Sequence, residues 1–178
     1  MTRIRLVPIF FIVVVTLAAL IGGWQAYQHF DLLNPLQSKL AEVPGVESAH
    51  VDTGANQVTI QLGPVSKLQN GDLQTTYAKI VAVTEETLGS SVSITLLDHR
   101  DWSLDSAYES YTPSLFEGIA KENYTQMISN IEQKAKADHI DARVTMSQHD
   151  IFIQFSKGNN YLYDVVPYSI HQGGGVAS

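Results

Sequence analysis

The chain has 178 residues, a formal net charge of −7 and no cysteine. That length allows one or two small domains, and the missing cysteines exclude a disulfide frame and every thiol chemistry. So acidic a surface repels phosphate backbones, and nucleic acid is excluded as a partner.

Residues 6–23 read LVPIFFIVVVTLAALIGG, 18 residues without a charge, preceded by Arg3 and Arg5 and followed by Trp24 and Tyr27. The run is longer than the apolar core of a cleavable signal and lacks an A-x-A site, so its length predicts a transmembrane helix over 6–24. Arginines at 3 and 5 would hold residues 1–5 in the cytoplasm and place the bulk of the chain outside it, as a single-pass membrane protein. All 18 Asp and Glu follow this run.

Beyond a juxtamembrane link, a first α+β module is expected over 31–98. Leu36 and Leu40 share one face of a short helix over 36–43, which Pro44-Gly45 ends. A strand over 46–52 turns at 53–56 into a second, over 57–62, where Val58, Ile60 and Leu62 alternate with Thr59 and Gln61. After a loop over 63–71, residues 72–88 carry Leu73, Tyr77, Ile80, Val81, Thr84 and Leu88 at helical spacing, and Gly89 stops them. Val92, Ile94 and Leu96 give a third strand. One helical layer on a three-stranded sheet is a stable two-layer arrangement of the ferredoxin-like kind.

Residues 99–112 look like a polar linker. Thr112-Pro113 then resembles a helix start, opening a second module over 113–168. Its long helix carries Phe116, Ala120, Tyr124, Met127, Ile131 and Ala135 along one stripe and ends near Asp138. Three alternating strands follow, around Ala142–Met146, Ile151–Phe155 and 161–166, making an αβββ unit. The Gly-rich tail over 169–178 is expected to be disordered. Ile60-Gln61-Leu62 in the first hairpin answers Ile153-Gln154-Phe155 in the second. Patterning alone produces such similarity, so duplicated modules and one domain sharing a sheet both remain open.

A helix ending in Val43-Pro44-Gly45-Val46, followed by hairpin, helix and strand, resembles the small αββαβ modules of bacterial envelope proteins. These include the BON domain and the ring-building modules of secretion and sporulation assemblies. The match covers 36–98, with a partial copy over 114–166. Gly63 fits the glycine that a BON domain prefers after its second strand, whereas Gly89-Ser90-Ser91-Val92 only approximates its second Gly-Val. The resemblance implies a non-catalytic role: binding an envelope component, or stacking against copies of itself.

No enzyme motif appears, and no cofactor is expected. The six histidines contain no i, i+4 pair and no H-E-x-x-H, so no metal site is expected either. The densest polar cluster is Asp98-His99-Arg100-Asp101-Trp102. Asp98, His99, Arg100 and Trp102, with Tyr161 and Tyr163 on the last strand, are the candidate contacts for a ligand or partner. The expected function is protein–protein association in a bacterial envelope. The alternative is binding of cell-wall glycan or lipid through Trp102, Tyr108 and Tyr111.

Overall fold

The structure, a computed structural model, describes residues 13–21, 34–52, 54–89 and 92–168. Residues 13–21 are described as helical (α1), and Val13, Val15, Leu17, Leu20 and Ile21 are all more than half exposed on it. Among the described residues no helix is long and apolar enough to cross a membrane. The transmembrane helix expected over 6–24 is therefore corrected, and with it the single-pass placement of the chain in a membrane. Residues 6–12 and 22–24 of that run lie outside the described residues. Residues 1–5 and the tail over 169–178 lie outside the described residues.

The α+β class holds, with five helices and two three-stranded sheets among the described residues. The first half runs α2 (Asn34–Ala41), β1 (Val46–Asp52), β2 (Gln57–Leu62), α3 (Leu73–Leu88) and β3 (Ser93–Leu97). Gly45 makes the break after α2 at φ +95°, where a Cβ would come within 2.7 Å of Leu68. Its carbonyl accepts the amide of Gly63 at 2.8 Å, which closes the base of the hairpin. β2 pairs antiparallel with β1 and parallel with β3, the parallel step being bridged by α3. Asp72 caps α3 by accepting the Thr75 amide at 2.9 Å. The register places Val51, Val58, Ile60, Ile94 and Leu96 on the core face, and leaves His50, Thr59, Gln61 and Thr95 on the other.

The second half departs from expectation at its start. Within the expected linker over 99–112, residues 102–112 instead form the first part of α4 (Trp102–Ala120), which continues through Pro113. Leu104, Ala107, Tyr111, Leu115 and Gly118 form its buried stripe, a helical period that interspersed serines and acids obscure. Asp101 accepts the Leu104 amide at 2.9 Å and fixes the true start. The single long helix also divides: α4 ends at Ala120, Glu122 turns at φ 53°, and α5 (Tyr124–Ala137) follows. Met127, Ile131 and Ala135 are buried as the spacing predicts, but Phe116 is 57% exposed because the α4 stripe lies on another face. β4 (Asp141–Met146), β5 (Asp150–Lys157) and β6 (Asn160–Pro167) form an antiparallel meander.

The two hairpins lie in different sheets, yet the halves interlock. Ile151, Ile153, Phe155 and Leu162 pack against α4 and α5. On the opposite face of the same strands, Phe152, Tyr161 and Tyr163 enter the core built by Leu36, Leu40, Ile60 and Ile80. β5 is thus buried on both sides, as its nearly continuous apolar run requires.

Candidate functional site

Asp98 directly follows β3, and its carboxylate is the hub of the polar cluster. It accepts Arg100 Nε at 2.8 Å, Arg100 Nη2 at 2.7 Å and the backbone amide of Tyr163 at 2.8 Å. Arg100 extends the link by donating to the Tyr163 carbonyl at 3.3 Å and to Asp105 at 3.3 Å. The hydrogen bond to Asp98 holds the guanidinium further above its ordinary pKa, against the burial that lowers it. The Asp98 side chain is only 4% exposed, so this pair acts as a clamp between the end of β3 and the edge of β6.

The rest of the cluster divides between structure and surface. The His99 carbonyl accepts the Tyr161 amide at 3.0 Å, while its ring lies 6.0 Å from that of Tyr161 on the exposed side. Asp101 caps α4 and also accepts Asn160 Nδ2 at 2.8 Å. Trp102, the first residue of α4, stands 84% exposed, apart from the clamp.

Tyr161 and Tyr163 are committed to the interior rather than presented as open rings. Both are buried, their rings 5.4 Å apart, and the Tyr163 hydroxyl donates to the Gly63 carbonyl at 2.9 Å. Burial raises both phenols above their ordinary pKa. Their partner is the first half of their own chain. The candidate residues therefore fall into three places: Asp98, Arg100 and Tyr163 together, His99 beside Tyr161, and Trp102 alone.

Sequence reasoning missed Gln154. Its side chain accepts the Leu73 amide at 3.0 Å and donates to the Gly71 carbonyl at 3.3 Å, gripping the start of α3. The signal was a glutamine inside an otherwise apolar strand, a polar group that burial obliges to find partners. Arg143 reinforces the same contact with an ion pair to Asp72 at 3.4 Å.

The arrangement offers little acid–base chemistry. The His99 ring makes no hydrogen bond among the described residues, and these contain no group of three or more His, Asp or Glu able to hold a metal. Tyr108 donates to Asp164 and Tyr111 to Asp138; burial first, then these carboxylates, push both phenols up. Both rings pack edge-on against Phe155, so neither is free to stack on a sugar. A cleft of about 250 Å³ follows the seam between the sheets, lined by Tyr77, Ile94, Leu96, Arg100 and Tyr163.

The four sheet edges are treated differently. β3 and β6 face each other across the His99–Tyr161 bridge and the Asp98–Arg100 clamp. On β4, the Val144 amide donates to the Glu132 carboxylate of α5 at 3.2 Å, which blocks that edge. β1 pairs with β2 on one side, and no described strand or side chain bonds its other edge. No protein-family model, curated protein or solved structure matches the chain.

Proposed function

We propose that this protein is a non-catalytic association module that takes an extended segment of a partner protein onto the open edge of β1. The observation that carries this reading is the contrast among the edges: three are latched or blocked, and β1 alone is left unpaired among the described residues. An unpaired strand edge is a ready template for strand addition, in which main-chain hydrogen bonds supply affinity and side-chain pockets supply choice. Exposed Glu47 and the irregular register between Val46 and Ser48 discourage indiscriminate pairing. A net charge of −7 makes a second copy an unfavourable occupant and a basic segment a favourable one.

Amide hydrogen exchange on the full chain tests this with three capped hexapeptides. One alternates lysine and valine, one alternates glutamate and valine, and one is the basic peptide methylated on alternate backbone nitrogens. The reading expects the basic peptide to slow exchange of β1 amides at least tenfold, and the other two to leave it unchanged. Unchanged β1 exchange with the basic peptide, or equal protection by the methylated one, would overturn it.

A further inference from the structure

The Trp102 side of α4 carries a second, independent site. Ser103, Ser106, Ala107 and Ser110 lie at i, i+3, i+4 and i+7 along α4, so they share one face of that helix. Together with Trp102 they wall a groove of about 300 Å³, closed on the other side by Asp138, Ile140 and Lys157. This is the small end of the roughly 300–1,000 Å³ that small-molecule clefts span, room for one sugar ring.

We propose that this groove binds a neutral saccharide, stacked on Trp102 and hydrogen-bonded by the serine row and Lys157. At 84% exposed, Trp102 contributes almost nothing to the core, yet it presents a large flat apolar face beside polar groups. Of the groove's hydroxyls, Ser110 already donates to the Ala107 carbonyl at 2.8 Å and keeps only its lone pairs. Ser103 accepts from Lys157 and keeps its proton. Together they can accept from and donate to a sugar's own hydroxyls. Ser106 has no side-chain hydrogen bond among the described residues and is free to engage a ligand. Lys157 is held in place by Ser103 Oγ and the Asp138 carbonyl, both at 3.2 Å, with the third of its three donors left over. A purely apolar ligand would strand these groups. A polyanionic one would meet a protein of net charge −7, and its single nearby cation is already shared. Tyr108 and Tyr111 take no part, because both are committed to Phe155 and to carboxylates.

The chain has two tryptophans, so Trp24→Phe in the full chain leaves Trp102 as the sole indole reporter. Cellotetraose and chitotetraose are the probes, titrated to about 10 mM, roughly tenfold above a weak 1 mM dissociation constant. The expected result is a saturable shift of the Trp102 emission with at least one of them. Ser106→Leu fills the groove from an exposed position; it is expected to weaken binding at least tenfold while leaving thermal unfolding unchanged. Trp102→Ala, followed by calorimetry, is expected to abolish binding. No saturable response to either sugar overturns the site, as does a response that survives Ser106→Leu or Trp102→Ala.

Discussion

Gln154 on β5 and Leu73 at the head of α3 stand 81 residues apart in sequence and share a 3.0 Å hydrogen bond. Because the same amide also holds the Gly71 carbonyl, one side chain satisfies both a helix-start donor and a loop acceptor. Gln154→Leu keeps the apolar volume and strands both groups. We expect a loss of about 1–3 kcal/mol, read from urea unfolding at an unchanged m-value.

The neighbouring tyrosines separate packing from hydrogen bonding. Tyr163→Phe removes the bond to the Gly63 carbonyl and is expected to cost about 1 kcal/mol. Tyr161→Phe removes a hydroxyl with no hydrogen-bond partner among the described residues and should fall within about 0.5 kcal/mol of the native protein. Equal effects for the two would refute the assignment of Tyr163 as the interlock.

Asp98→Asn keeps the shape of the clamp and removes its charge. With three strong donors left facing a neutral amide, stability should fall by about 2 kcal/mol. Arg100 is 36% exposed, so solvent screens its share. A double-mutant cycle with Arg100→Ala should therefore return a coupling of about 1 kcal/mol or less.

Alkali should unfold the protein before it titrates the core tyrosines. Burial raises the pKa of Tyr108, Tyr111 and Tyr163 above the 10.0 of a free phenol. Between the unfolded and folded values the unfolded chain has lost protons that the folded chain retains, so stability falls as pH rises. It should be fully present below about pH 10 and decline above it. The last part of the absorbance of the eight tyrosines should rise only together with the loss of circular dichroism. A rise to all eight tyrosinates that precedes unfolding would show these phenols to be accessible.

A glycine in a helix is ordinarily improved by alanine, by about 1 kcal/mol. Gly118 reverses the sign. A Cβ there would collide with Cβ and Cγ of Met127 on α5. Overpacking of about 1–3 kcal/mol should outweigh the gain in propensity, making Gly118→Ala less stable by thermal melting.

The regular parts of the fold were legible in the residues. Val58, Ile60 and Leu62 alternate because one face of β2 is core and the other is not, and Pro44-Gly45 can only end a helix. The α4 segment was not legible, since Pro113 invites a boundary in front of it while the burial of Leu104, Ala107 and Tyr111 overrides that local preference. The candidate site was half legible. Asp98 and Arg100 could be seen to pair, but that they hold Tyr163 depends on a contact spanning 65 residues, which no local pattern encodes. Exposed Trp102 and buried Tyr111 look alike in sequence; only the helical phase of α4 tells them apart.

The interlock also sets a timetable for synthesis. When β3 has left the ribosome, the core around Leu36 and Ile60 still lacks Phe152, Tyr161 and Tyr163. At roughly 5–20 residues per second, the 65 residues between Asp98 and Tyr163 take about 3–13 s to make. Throughout that interval the nascent first half holds an unfinished apolar surface. Its commitment to the native state waits for β6.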